Sequence, residues 1–176
     1  TIPYKEQVIR YLDSISPEAQ AIGAVNVIRV SQKGNQTFLR GFNSDVIGFT
    51  KSIEPLLERY HRKALILGTG GAAKAVDYGL KSLGLETQMV SRSRKTGAIT
   101  YDDVKAETIE EYNVLVNCTP LGLYPNVDLC PTLPYNAMNS RTLLYDLLYN
   151  PDETLFMRKG REQGATVKNG LEMLLL

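Results

Sequence analysis

The sequence has little cysteine, a single histidine and no long apolar run, and each shortage removes a class of function. Its two cysteines in 176 residues, Cys118 and Cys130, make neither a disulfide framework nor a metal-ligand spacing. They fit a reduced, cytoplasmic compartment, and no metal site is expected. His61 stands alone in the polar run 58–63. We read it as solvated, so a histidine-based mechanism is not expected. A transmembrane helix needs roughly eighteen or more apolar residues in a row, and no such run occurs. A formal net charge of +1 leaves no surplus basic face for nucleic acid. Internal repeats and low-complexity segments are absent. What remains is 43% hydrophobic residues, ordinary for a globular chain. The first residue is Thr1, and M-L-L-L ends the chain inside an apolar helical pattern, so the sequence reads as a piece of a longer protein.

The first part mixes short elements. Residues 1–3 read as the end of a strand. Residues 4–13 carry Val8, Ile9 and Leu12 at the spacing of one helical face. Ser16-Pro17-Glu18 opens a short helix to about Ile22, with Ser16 as N-cap. Strands over 24–30 and 36–40 pair antiparallel through a K-G-N turn. A helix capped by Asn43 or Ser44 then runs from Asp45 to about Tyr60, with Pro55 as a kink or an early end. From Lys63 onward strand and helix alternate. Strands fall at 64–67, 86–91, 113–117, 143–146 and 165–167. Helices fall at 71–83, 108–111 and 153–160, and a last one begins at Gly170. This alternation implies a parallel sheet covered on both faces.

The strongest chemical signal is Ala64 to Lys74, A-L-I-L-G-T-G-G-A-A-K, in which an apolar strand enters a glycine turn that opens a helix. It departs from G-x-G-x-x-G, since Ala73 fills the third glycine position. The turn still allows tight curvature and close backbone approach, which suit a phosphate at a helix N-terminus. An NAD site places an acid about twenty residues further on, for the ribose 2′-hydroxyl. Here that position holds Ser91-Arg92-Ser93-Arg94-Lys95. A 2′-phosphate is attracted by such cations, so NADP is favoured over NAD. The loop Asn117-Cys118-Thr119-Pro120-Leu121-Gly122 lies at a carboxyl strand end and borders the same crevice. Lys5 and Asp45 are the candidate proton-transfer pair. They are expected to face the cleft of the glycine turn, about one nicotinamide-bearing dinucleotide length from it.

Taken together in order, these segments resemble the shikimate dehydrogenase family. Thr1-Ile2-Pro3-Tyr4-Lys5 is similar to the tail of its N-V-T-x-P-x-K motif. Gly23-Ala24-Val25-Asn26 matches G-A-V-N, and Asn43-Ser44-Asp45 is similar to N-T-D. Gly68-Thr69-Gly70-Gly71-Ala72 stands for G-A-G-G-A, and Asn117 to Gly122 for N-A-T-P-L-G. Asp146-Leu147-Leu148-Tyr149-Asn150-Pro151 and Asn169-Gly170-Leu171-Glu172-Met173-Leu174 agree as well.

The resemblance implies an α/β fold, with a Rossmann-like NADP-binding domain and the remainder of an N-terminal α/β substrate domain. It implies substrate-domain residues 1–45, a linker helix 46–62, a cofactor domain 63–168, and a returning helix from 169 to 176. It implies reversible NADP-dependent interconversion of 3-dehydroshikimate and shikimate, in the biosynthesis of chorismate and aromatic amino acids. Lys5 and Asp45 become the catalytic pair, without assignment of acid and base. Thr1, Asn26 and Tyr149 become substrate contacts. Gly68, Gly70, Gly71 and Ala72 cradle the pyrophosphate, and Thr119 and Leu121 are further cofactor contacts on the loop bordering the crevice. Arg92, with Arg94 or Lys95, meets the 2′-phosphate next to Ser91 and Ser93. Gly170 and Met173 border the nicotinamide. A homodimer is compatible with this reading.

The family's paired serines for the substrate carboxylate are missing, and so is the glutamine expected just after Leu176. The piece alone is therefore expected to show little turnover. A quinate/shikimate dehydrogenase with relaxed cofactor use, a non-catalytic NADP-binding module and a folate-linked dehydrogenase are the rival readings.

Overall fold

The computed structural model describes residues 4–176. Its first part builds a small sheet. Strand β1 (Ser14–Ile15) is followed by helix α1 (Pro17–Ile22) and the hairpin β2 (Val27–Lys33) and β3 (Gln36–Phe42). The strand order is β1-β3-β2, with β1 parallel and β2 antiparallel to β3. The antiparallel hairpin agrees with the sequence reading, although β2 lies three residues further along than the expected 24–30. Residues 4–13 do not form the expected helix: a short 3-10 turn at Gln7–Tyr11 replaces it, and none of that turn's residues is buried. With no core to pack on, five residues cannot offset helix nucleation. Helix α1 follows its local signals. The Ser16 hydroxyl accepts from the Ala19 amide at 3.2 Å, Pro17 opens the helix, and Gly23 closes it at φ +70°.

Helix α2 (Asp45–Ile53) takes the early end rather than the kink expected at Pro55, closing in a 3-10 turn at Glu54–Leu56. Proline lacks the amide a continuing helix needs. In the polar connection that follows, His61 is only 7% exposed. Its Nδ1 accepts from the Glu58 amide at 2.9 Å, and its Nε2 donates to the Arg141 carbonyl at 3.0 Å. The solvated reading is therefore corrected, since local polarity does not reveal a contact eighty positions away. Burial lowers the pKa of His61.

The sign follows from that shift. The unfolded chain takes up the proton near pH 6.5, before the folded one does. His61 therefore contributes fully above that pH and costs stability as pH falls below it. Compared with His61→Gln, the wild type should lose melting temperature between pH 7 and pH 5. A wild-type-minus-variant difference that is flat over this range would contradict the account.

The second part contains strands β4 (Lys63–Leu67), β5 (Glu86–Ser91), β6 (Ala98–Thr100), β7 (Val114–Asn117), β8 (Leu143–Asp146) and β9 (Thr166–Lys168). Between them run α3 (Gly71–Ser82), α4 (Ala106–Glu111) and α5 (Leu155–Glu162), and α6 (Leu171–Leu175) follows β9. The six strands are all parallel, in the order β6-β5-β4-β7-β8-β9. The chain thus has a Rossmann-like α/β fold. The three-residue β6 is too short to show a period in the sequence.

Side chains alternate across this sheet. Ile66, Val116 and Tyr145 face α2 and α3 with Phe49, Ile53, Val76 and Leu80. Leu65, Leu67, Leu115 and Leu144 face α4 and α5 with Ile109 and Phe156. Each fully buried side chain of this kind contributes about 1.5–3 kcal/mol. Met173 of α6 packs at the margin of the first cluster. The strand order reverses at β4, where β5 lies on one side and β7 on the other. That reversal opens a crevice at the carboxyl ends of the strands.

Candidate functional site

The crevice begins at the glycine turn after β4. The Gly68 amide donates to Val90 O at 2.9 Å, and Cys118 N donates to Leu67 O at 2.9 Å, so β5 and β7 clamp the turn. Gly68 sits at φ +119°, a conformation open to glycine but not to L side chains. Gly70 is the extended N-cap of α3, and Gly71 and Ala72 are its first two residues. The free amides of this first turn are the ones that meet an anion.

Lys5 lies directly against this turn. A Cβ on Gly71 would meet Lys5 Cβ at 3.3 Å and Ala24 Cβ at 3.5 Å. This is closer than the dinucleotide length expected from the sequence. The absence of a side chain at Gly71 lets the lysine stem cross the start of α3. Its ammonium donates to Asp45 Oδ2, and the two side chains are 12% and 19% exposed. Asp45 Oδ1 accepts from Asn26 Nδ2 at 2.7 Å. Asn26 Oδ1 in turn accepts from the Ser44 amide at 2.9 Å. Sequence reasoning misses Asn43 as part of this site. Its amide group donates to Ala24 O at 3.0 Å, and its Oδ1 accepts from Asp45 N at 3.1 Å. Ser44 holds the N-cap position of α2 but makes no side-chain cap bond. The Asn43 contact is an Asx-type turn that aims Asp45, and the asparagine immediately before Ser44-Asp45 is its only sequence signal.

At the end of β5, Ser91 is buried, whereas Arg92, Ser93, Arg94 and Lys95 are exposed. Lys95 Nζ donates to Thr69 Oγ1 at 3.1 Å, which joins the basic loop to the glycine turn. Among the described residues Arg92 and Arg94 form no ion pair with a carboxylate.

At the end of β7, Thr119 donates from both its amide and its hydroxyl to Asn117 Oδ1, at 3.0 and 2.7 Å. The Leu121 amide donates to the Thr119 hydroxyl at 3.3 Å. Tyr149 is half exposed on the loop after β8. The Gly170 amide donates to Leu148 O at 2.9 Å, which sets the start of α6 beside that loop. Thr1 lies outside the described residues. Lys5 lies in the turn ahead of the first 3-10 segment and Asn26 immediately before β2, and the other sequence-predicted residues fall on or just after the ends of β4, β5, β7 and β8 and at the starts of α2, α3 and α6.

Asp146 likewise escapes the sequence reading as a functional residue. It is wholly buried at the end of β8, and burial pushes its carboxyl up to about 6 against three hydrogen bonds that lower it. Burial also raises the neighbouring Cys118 thiol, which leaves it protonated and unsuited to nucleophilic work at neutral pH.

A parallel sheet with a glycine turn at its strand-order reversal defines a dinucleotide-binding type of α/β protein. The comparisons narrow that class. A family model described as the shikimate dehydrogenase substrate binding domain matches residues 1–28. Two relatives named shikimate dehydrogenase (NADP(+)) cover 99% of this chain. The one from Carboxydothermus hydrogenoformans is 39% identical. The one from Caldanaerobacter subterraneus subsp. tengcongensis is 36% identical. The crystal structure of shikimate 5-dehydrogenase from Thermus thermophilus, in complex with NADP(H) and shikimate, superposes with a TM-score of 0.82 at 35% identity. The match covers 99% of this chain and 66% of that one. The chain belongs to the shikimate dehydrogenase family. It spans 66% of the length of each of the two relatives.

Proposed function

We propose that the chain carries the cofactor site and the proton-transfer pair of an NADP-dependent shikimate dehydrogenase, which reduces 3-dehydroshikimate to shikimate reversibly in aromatic biosynthesis. The observation that carries this reading is the largely buried Lys5–Asp45 pair, whose lysine stem lies against Gly71 at the turn expected to hold the pyrophosphate. On this reading residues 1–45 belong to the substrate domain and 63–168 to the cofactor domain. The helix 46–62 links them, and residues from 169 return toward the substrate.

The residues present fit NADP. A Cβ at Gly71 would press on Lys5 at 3.3 Å, and the bare turn leaves its backbone amides open to a pyrophosphate. Arg92 and Arg94 are exposed and free of carboxylates among the described residues, as a 2′-phosphate requires. Gly68, Gly70, Gly71 and Ala72 would hold the pyrophosphate. Ser91 to Lys95 would hold the 2′-phosphate. Thr119, Leu121, Gly170 and Met173 would border the nicotinamide. When bound, NADP supplies or accepts the hydride.

The chain itself handles the proton and the substrate. In the oxidative direction the substrate C–OH loses its proton to the Lys5/Asp45 pair as the C–H bond breaks. In the reductive direction the pair returns that proton to the new alkoxide, and the Lys5 ammonium stabilises the oxygen's charge meanwhile. Asn26, which donates to Asp45 Oδ1, and Tyr149 would contact the substrate.

The test is kcat/KM for shikimate and for quinate, each with NADP+ and NAD+, in the full-length protein. Shikimate with NADP+ should exceed each of the other three combinations by about tenfold or more. Comparable values for all four would favour a quinate/shikimate enzyme with relaxed cofactor use. Tight NADP binding without turnover of either substrate would leave a binding module.

A further inference from the structure

We infer that Asp146 is a positioning residue, whose buried carboxylate locks together the loops that border the nicotinamide half of the proposed site. This inference rests on the NADP reading above. Its Oδ1 accepts from Asn117 Nδ2 and from the Leu148 amide, both at 3.0 Å. Its Oδ2 accepts from the Thr154 hydroxyl at 2.6 Å. One side chain thus joins the end of β7, the loop after β8 and the N-cap of α5.

Two of the three ties continue outward to residues assigned to the site, and the third, through Thr154, fixes the start of α5. Asn117 holds Thr119 through Oδ1 and the Leu121 carbonyl through Nδ2 at 3.4 Å. Leu148 accepts from the Gly170 amide, and Leu147 N donates to Asn117 O at 3.0 Å. The loops bearing Thr119, Leu121, Tyr149 and Gly170 therefore share one buried anchor. Asp146 and Asn117 are fully buried, and Thr154 is 1% exposed.

Stability alone does not account for a carboxylate here. Burial disfavours its charge more than the three donors restore, so the ionised form destabilises the fold at neutral pH. What the carboxylate gives is geometry: two oxygens that receive three donors from three segments. Loops at a reacting centre need such support, because a shift of about 1 Å costs up to about a hundredfold in rate.

The anchor serves the nicotinamide loops and not the basic cluster after β5, and this separates the proposal from a general structural role. Two probes read the two halves. NADPH fills both. Adenosine 2′,5′-bisphosphate fills only the adenine half. At pH 7.5, Asp146→Ala should weaken NADPH by about tenfold or more and leave the bisphosphate within about twofold. Asp146→Asn should stay within about threefold of wild type for both probes, since its Oδ1 keeps two donors and its amide can donate to the Thr154 hydroxyl.

Should Asp146→Ala not fold, Asn117→Ala cuts the tie to Thr119 and Leu121, and it carries the same expectation. Unchanged NADPH affinity, or equal loss for both probes, overturns the positioning role. So does an Asp146→Asn protein as weak as Asp146→Ala. A wild type that binds neither probe overturns the NADP reading and this inference together.

Discussion

Replacing Lys5 with methionine should lower kcat for shikimate oxidation by roughly 10²–10⁴-fold, the usual worth of a positioned proton-transfer group. Methionine is the informative choice. The lysine stem packs on Gly71 and sits within reach of Ala24, and methionine preserves that aliphatic contact while removing the ammonium. NADPH affinity should therefore stay within about twofold, because no contact of the glycine turn is lost. Asp45→Asn should fall by a similar factor. It keeps a carbonyl oxygen for Asn26 Nδ2 but cannot take the proton. The double substitution should be little worse than either single one, since a pair that works as a unit fails as a unit. Measured kcat and NADPH affinity in the full-length protein decide this. Turnover that survives Lys5→Met would remove the catalytic role and leave the pair as a structural contact.

The second large effect concerns the basic loop. Arg92→Ala with Lys95→Ala should weaken NADPH by about a hundredfold and leave NADH nearly unchanged. Each charge-assisted hydrogen bond is worth about 1.5–3 kcal/mol when formed, and exposure places these two at the lower end. Two such contacts give about 3 kcal/mol, or roughly a hundredfold. Lys95 donates to Thr69, so its head must turn from that hydroxyl to a phosphate, which limits its share. Arg92 has no such competitor among the described residues and should dominate. The preference should shrink with added salt, because the exposed charges are screened over about 8–10 Å at physiological ionic strength. Equal losses for NADPH and NADH would mean that the loop shapes the site without reading the 2′-phosphate.

Much of the fold is legible in the chain because its signals are local. The run A-L-I-L-G-T-G-G joins a buried strand to a turn that only small residues permit, and β4 and α3 form there. The cap Ser16-Pro17 and the K-G-N hairpin are likewise short-range, and both appear as read. The misreadings at residues 4–13 and at His61 share one cause, which is burial decided elsewhere in the chain. Residues 4–13 carry a helical pattern but bury too little to hold a helix, and helix α2 stops at a proline whose effect sequence alone leaves as either kink or end. His61 reads as polar and exposed, yet a carbonyl from eighty positions away buries it.

By itself the sequence determined the strand–turn–helix at the glycine loop, the cationic segment after β5, and the presence of a lysine and an aspartate suited to proton transfer. These depend on residue type and on spacings of a few positions, which backbone geometry and charge constrain directly. Only the tertiary structure decided that Lys5 and Asp45 touch, that the lysine stem rests on Gly71, and that Asp146 ties three segments together through one carboxylate. Those contacts join residues far apart in the chain. They arise when the strands pair in their particular order and burial withholds water, leaving each polar group to find its partner inside the protein.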